Sequence, residues 1–546
     1  MTTLPQRRWI RITIVVTLLV IGVVLGMRCL EGAVLARSER ILAQFSGPGS
    51  RIQIGQVDLK LIPGDIRWTD LQIVQPAADP DTTMDDRSMR VSGRVDELSV
   101  RGLSLWRLLF AHTLSMRSIT IINPDMEVIL MNDTAGAPDR QAGSLNISAF
   151  NTDTIAVENG AYRMHRTGQD TTNITVDTMN LQVTGLRSRW GEAEPFELRF
   201  TGANGKLLGI HAALPPVYDL VVARVELEND GSVLQVTDAT LKPLKGQQEY
   251  DKVVHTETDL FNVHLDTAML DGLDLNALIN ARTLSTTTMR IAGVDLDVFR
   301  DKTMPDAPFE HKPMPARLVR ELPIALCMDS LVVDRWNVHY HEKNTLSTDY
   351  GEVMISDIHG VVNGLCSADT LSSDTLVVRA TAICYGQAKV NLDLRTVIGD
   401  SSDRFTVNAM IGGLPIEVFN RMTADLLLMR TTAGTIGGID LTMNADDDRA
   451  TGRVAMEYDG LKVELIRQDG SGETRKFMSG LMNQVVRSRN LRSDPGFRHG
   501  DFTIERRKDR QIFNYLWSGL REGMIITALP GVLETVRQMD KAGSKR

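Results

Sequence analysis

Apolar and polar residues alternate with a period of two through most of this 546-residue chain. Ile52 and Ile54, then Val57, Leu59 and Leu61, then Ile66 and Trp68, then Leu71 and Ile73 each point one way within their run; Arg51, Gln53, Asp58, Lys60, Asp65 and Arg67 point the other. Successive strand residues project to opposite faces, so this spelling makes sheet with one apolar face. Pro63-Gly64 predicts the turn between two such strands. The pattern returns late in the chain. Ile439, Leu441 and Met443 are followed by Val454, Met456 and Tyr458, then Leu461, Val463 and Leu465, with turns expected at Asp446-Asp447-Asp448 and Asp459-Gly460. Period two with one polar face is the signature of antiparallel sheet. Little helical periodicity accompanies it, so the apolar face must meet a second sheet or some other apolar phase.

The β-region repeats itself. Gly102 to Val128 aligns without a gap on Gly272 to Val298, identical at 11 of 27 positions, including Gly102/Gly272, Leu105/Leu275, Leu114/Leu284 and Asp125/Asp295. Ile174 to Leu186 resembles Val353 to Leu365, both closing on Gly-Leu. An offset of 170 residues is too long for a stacked solenoid and predicts a duplicated β-rich half. Between the copies, Met304 to Pro315 carries prolines at 305, 308, 313 and 315 and reads as an exposed, extended linker. Pro76 to Asp86 is a second polar loop.

Near the N-terminus, Ile12 to Met27 contains no charge. Snorkelling of Arg11 and Arg28 extends it to a membrane-spanning helix over residues 10–30. Arg7, Arg8 and Arg11, with Trp9 as an interfacial anchor, keep residues 1–9 in the cytoplasm and direct the remainder outward. The competing reading is a cleaved signal peptide, disfavoured by the length of the apolar run and by Glu31 before the only small-residue cleavage candidate, Val34-Leu35-Ala36. The expected organisation is a cytoplasmic tail at 1–9, the anchor at 10–30, β-rich halves at 41–303 and 323–470 flanking a Pro-rich linker at 304–322, and a basic helical region at 471–546.

Charge is split along the chain. Residues 473–546 hold 15 Lys+Arg against 8 Asp+Glu, while the whole chain is −9. A basic tail on an acidic body points to an anionic partner such as a membrane surface, not to nucleic acid. There the period changes: Phe513, Leu516, Trp517, Leu520 and Met524 fall at helical spacing, preceded by Arg506, Arg507, Lys508 and Arg510 and ended by Pro530-Gly531. Met478 to Val486 is a weaker helix candidate. Two readings stand for the longer helix: an amphipathic membrane contact made through the four cations with Phe513, Leu516, Trp517 and Leu520, or an ordinary helix closing the sheet.

Reactive constellations are sparse. Cys29, Cys327, Cys366 and Cys384 form no CxxC pair; Cys366 and Cys384 are placed to bond across neighbouring strands, against the simpler reading of free buried thiols. His339 and His341 share one face of a strand, as a zinc pair would, but no third ligand is evident and the face, with Arg335 and Asn337, reads as solvated. Asp446 to Asp448 lacks the spaced oxygens of a calcium loop. Gly434 to Gly438 lacks the Lys-Ser/Thr of a phosphate loop. Asn132, Asn146 and Asn173 sit in glycosylation sequons, which matter only in a eukaryotic secretory chain. No catalytic, cofactor or metal residue is assigned, and no enzyme is expected.

Three segments together resemble a known family. They are Ile54-Gly-Gln-Val-Asp-Leu-Lys-Leu-Ile-Pro-Gly-Asp-Ile-Arg-Trp-Thr-Asp-Leu-Gln-Ile73 after an anchor, Ser118-Ile-Thr-Ile-Ile-Asn-Pro-Asp125, and Gly434-Thr-Ile through Gly452 to Leu461. They are similar to the AsmA-like envelope proteins, relatives of TamB, in bacteria with two membranes. The resemblance spans residues 10–470 and rests on strand periodicity, Asn-Pro turns and glycines. It implies an inner-membrane anchor, a periplasmic β-groove with an apolar lining, and a role in phospholipid transfer or outer-membrane homeostasis, with membrane lipids and envelope or outer-membrane proteins as partners. The expected fold is mostly β: an N-terminal transmembrane helix, then an elongated antiparallel groove of duplicated halves, few short helices and a C-terminal amphipathic helix. The alternative is a periplasmic scaffold or assembly factor for outer-membrane proteins, with its sheets closed on each other.

Overall fold

A computed structural model describes residues 51–60, 63–74, 89–131, 149–167, 173–189, 197–214, 216–246, 249, 254–343, 350–367, 375–420, 429–465 and 487–528. The chain divides into two units, residues 1–215 with 221–231, and residues 216–220 with 232–546. The first holds β1 (Arg51–Lys60), β2 (Asp65–Val74), β3 (Met89–Arg101), α1 (Leu105–Ala111), β4 (Thr113–Ile122), β5 (Asp125–Met131), β6 (Ala149–Thr167), β7 (Asn173–Arg189), β8 (Glu197–Arg199) and β9 (Gly202–Leu214). β10 (Tyr218–Glu228) crosses the boundary. The second holds β11 (Val233–Pro243), β12 (Asp259–Asp271), α2 (Leu275–Ala281), β13 (Thr283–Asp301), α3 (Pro315–Arg320), β14 (Ala325–Lys343), β15 (Gly351–Cys366), β16 (Thr375–Cys384) and β17 (Ala388–Val397). It continues through β18 (Phe405–Ile411), β19 (Leu414–Pro415), β20 (Met429–Ala445), β21 (Arg449–Leu465), β22 (Arg489–Asn490), β23 (Gly500–Glu505) and α4 (Ile512–Ala528).

The sheet is mixed, which corrects the antiparallel expectation. In the first unit β1, β2 and β3 form an antiparallel meander, and β3 then pairs with both β4 and β5, laid end to end. Both of those run parallel to β6, which pairs antiparallel with β7. In the second unit β11, β12 and β13 are antiparallel neighbours, β13 and β14 are parallel, and antiparallel pairing resumes from β14 through β18 to β20, β21 and β23. Parallel neighbours need a crossover. Alternation cannot report strand direction, because side chains alternate identically in both pairings.

Residues 304–322 supply that crossover within the second unit. Phe309 is exposed, as a linker residue would be, but Met314 and Ala316 are fully buried, and Pro315 opens α3 at its first position, where a missing N–H is harmless. The hairpin turn at Pro63-Gly64 forms as expected: Gly64 sits at φ 87°, and a Cβ there would lie 2.4 Å from the Leu103 carbonyl oxygen. Asp446 closes the β20–β21 hairpin by accepting from the Asp448 and Arg449 amides at 2.9 and 2.8 Å. Asp459-Gly460 makes no turn. It lies inside β21 at a register shift opposite Ala433 and Thr435, and Gly434 packs on the Leu461 backbone there. The glycine run is thus a strand irregularity.

The duplication is visible element by element. β3, α1 and the β4–β5 pair recur 170 residues later as β12, α2 and β13, and β6 recurs 176 later as β14. Ser104 and Asp274 cap the helices by accepting from Arg107 N and Ala277 N, at 3.4 and 2.9 Å, and His112 and Arg282 end them in the left-handed conformation. Register shifts at Val157, Gly160 and Tyr162 recur at Val333, Trp336 and Val338. One difference has a clear cause: Asn123-Pro124 interrupts the first copy because proline has no N–H to pair, where Gly293-Val294 lets β13 run on.

The cysteine expectation is corrected. Cys327 bonds to Cys366, its register partner on the neighbouring antiparallel strand, and Cys384 is free. Among the described residues no helix is long and apolar enough to cross a membrane. The expected anchor at 10–30, with Arg7, Arg8, Trp9 and Arg11, lies outside the described residues, as does Met478 to Val486.

A buried pair records the divergence of the copies. Met116 faces Thr152 in the first, and Thr286 faces Met328 in the second, all at most 7% exposed. The large and small side chains have exchanged strands. Thr152→Met alone should destabilise by about 1–3 kcal/mol through overpacking. Adding Met116→Thr should recover most of that, giving a favourable coupling in a urea-unfolding double-mutant cycle. Additive effects would mean that the two sites do not share a packing volume.

Candidate functional site

Register pairing aligns the aliphatics into rows across each sheet. In the first unit one row is Leu59, Ile66, Val100, Ile119, Ile155 and Val183, and the next is Val57, Trp68, Leu98, Ile121, Val157 and Leu181. Five steps of about 4.8 Å make each row roughly 24 Å long. Of these twelve residues only Trp68 is buried; the others keep partial solvent exposure, and Leu181 reaches 36%. The second unit repeats the pattern in Leu241, Val263, Leu296, Val338, Ile355 and Cys384, all half-buried. Burial pushes the Cys384 thiol up to about 11, so it behaves as an apolar, unreactive member of its row. Among the described residues, no buried cluster centres on the first unit's rows.

The last strands are different. Phe405, Val407, Ile436, Ile439, Met443, Val454, Met456 and Tyr458 are at most 2% exposed, in a core shared with α4 and with Phe502 of the neighbouring strand β23. Helix α4 approaches through small residues: a Cβ on Gly523 would lie 2.3 Å from Val454 Cγ2, and one on Gly519 would lie 3.0 Å from the Phe502 ring. Tyr515 is buried with its ring centroid 6.2 Å from that of Phe405, and Leu516, Trp517 and Leu520 pack partly against the same core. Phe513 points away, 76% exposed. Three of the four apolar residues considered for membrane contact therefore serve the core.

The basic cluster divides in the same way. Arg506, with its side chain 1% exposed, donates to Asp447 and to the Lys312 carbonyl, and His311 Nε2 stands 3.1 Å from the same aspartate. Lys508 reaches Asp448 at 2.6 Å. Arg510 meets Glu257 at 2.8 Å, and Arg300 stands 3.3 Å from the same oxygen. Arg507 stays 63% exposed beside Asp509. Arg506 and Arg510 are thus committed to internal partners, which corrects their reading as outward contacts: Asp447 and Glu257, distant in sequence, fold onto them.

The polar face of the second unit carries a further cluster. Asp297 on β13 is the register partner of His339 on β14, and His341 follows on the same face. Asp297 Oδ1 lies 2.8 Å from His341 Nε2, and the two imidazole centroids are 3.7 Å apart. Asp297 is 42 residues from His339 in sequence, and only the parallel register of β13 and β14 sets them side by side. A usable signal existed in the repeat, where Asp297 and His341 fall on Glu127 and His165, an acid–histidine pair in contact at 3.3 Å. A cavity of about 450 Å³ adjoins the cluster, lined among others by Lys242, Asn262, His264, Asp295 and Ser356.

No family model matches the chain, and no curated protein matches it.

Removing the buried guanidinium in Arg506→Ala should destabilise by about 3 kcal/mol, because Asp447 loses its shielded partner. Arg507→Ala should stay within about 0.5 kcal/mol. Urea unfolding checks both, and equal effects would contradict the assignment. Burial raises the Glu257 carboxyl, but Arg510, Arg300 and Lys302 overcome this and hold it below its ordinary 4.5. A depressed folded value stabilises fully above the unfolded value and is lost as pH falls through the folded one. Glu257→Gln should therefore flatten the loss of stability below pH 4.5, read as the unfolding midpoint against pH.

Proposed function

We propose that this chain is a membrane-anchored β-groove protein that shields acyl chains during phospholipid transfer or envelope maintenance, as its AsmA-like resemblance implies. The half-exposed aliphatic rows carry the reading. An acyl chain moved into water loses about 0.8 kcal/mol for each CH₂, and a row of side chains such as Ile119, Ile155 and Val183 offers it an apolar alternative. A lipid needs a face that no other protein layer occupies, and the intermediate exposure of these rows meets that need.

The Cys327–Cys366 bond supports a location outside the reducing cytoplasm. That agrees with an inner-membrane anchor at 10–30 and the bulk of the chain in the periplasm. No catalytic group is required, since shielding is a solvation effect. The scaffold alternative draws its support from the closed packing beneath α4, where apolar strands meet protein.

Photo-crosslinking in cells separates the two. With a photoreactive residue at Ile119, Ile155 or Leu296 of the full chain, phospholipid adducts are expected, and none at Gln182, an exposed residue between Leu181 and Val183. Ile155→Asp should reduce adduct formation at Ile119, its register neighbour. Protein adducts alone at all the apolar positions would favour the scaffold.

A further inference from the structure

We propose that Asp297, His339 and His341 bind one divalent transition-metal ion of the zinc class on the polar face of β13 and β14, away from the aliphatic rows. Their donor atoms all lie within 4.8 Å of one another. Tetrahedral zinc, with bonds of about 2.0–2.2 Å, places its ligands about 3.4 Å apart, a spacing that small side-chain rotations reach here. Two imidazoles and one carboxylate suit a borderline cation, and three protein ligands leave a position open toward the adjoining cavity.

Two orphaned atoms point to a missing partner. His339 Nε2 is shielded from solvent and makes no hydrogen bond. Asp297 Oδ1 is equally shielded, and although His341 Nε2 is 2.8 Å away, the pair does not meet hydrogen-bond geometry. Buried polar atoms are seldom left unsatisfied, and a cation between these three would satisfy both.

The first copy provides an internal comparison. Glu127 and His165 occupy the places of Asp297 and His341, but Arg163 stands where the second copy has His339. Its guanidinium lies 2.6 Å from Asp125, so that site carries a cation of its own. Replacing that arginine with histidine removes a fixed charge and adds a lone pair. The second copy is thereby open to a metal where the first is not.

Untagged, detergent-solubilised full chain should bind one Zn²⁺ in competition with a chromophoric chelator, not two. Co²⁺ substitution should give the visible bands of a four-coordinate site. His339→Arg, which installs the first copy's residue, and Asp297→Asn should each weaken binding at least about tenfold. Circular dichroism and thermal melting report whether the variants stay folded, and Zn²⁺ should raise the melting temperature of the wild type only. Should His339→Gln also be needed to keep the fold, the same loss is expected. Wild-type affinity no tighter than that of a folded His339→Arg variant, or undiminished binding in both variants, overturns the proposal.

Discussion

A sheet with one apolar face has to put that face against something, and every other feature of this chain follows from how that requirement is met. In the last strands it is met by protein. Helix α4 lies on β21 closely enough that Gly523 has no room for a methyl group against Val454. Side chains such as Phe405, Met443 and Tyr458 are then sealed almost completely. Along the earlier strands of each unit the same alternation produces rows that are only half-buried. One sequence grammar thus yields a closed core and half-buried rows, and the core is closed where α4, Met314 and the 414–418 segment pack on the strands.

Duplication explains why the half-buried rows occur in both units. What the copies share is backbone: capped helices at α1 and α2, left-handed residues at His112 and Arg282, and the same register shifts in β6–β7 and β14–β15. What they have exchanged is side-chain chemistry. Met and Thr trade strands in a buried pair, conserving volume as close packing requires. On the polar face Arg163 gives way to His339, which exchanges a fixed charge for an imidazole whose Nε2 is shielded from solvent. Backbone geometry held constant while surface chemistry varies is what sheet pairing permits, since main-chain hydrogen bonds hold the strands whatever the side chains do.

Charge is where reading along the chain is most easily misled. Arg506, Arg507, Lys508 and Arg510 look equivalent as a run, yet Arg506 is shut inside with Asp447 and Arg507 stands in solvent. A buried guanidinium is tolerable only beside an opposite charge, and here its two terminal nitrogens are the ones that find partners. Those partners come from residues 59 and 194 positions away. No local pattern carries that information.

Sequence by itself determined the strand content, the parity of each face, the Pro63-Gly64 hairpin, the 170-residue duplication and the α4 stripe. All are local or self-similar properties, set by the alternation of strand side chains and the 3.6-residue turn of a helix. Tertiary structure alone decided that β13 and β14 run parallel, that Cys327 rather than Cys384 bonds Cys366, and that Asp459-Gly460 bends a strand instead of ending it. It also brought Asp297 to the two histidines and left the aliphatic rows half-exposed. The reason is common to all of these. Alternation states which way a side chain points, whereas register, direction and cover depend on which distant strand arrives beside it.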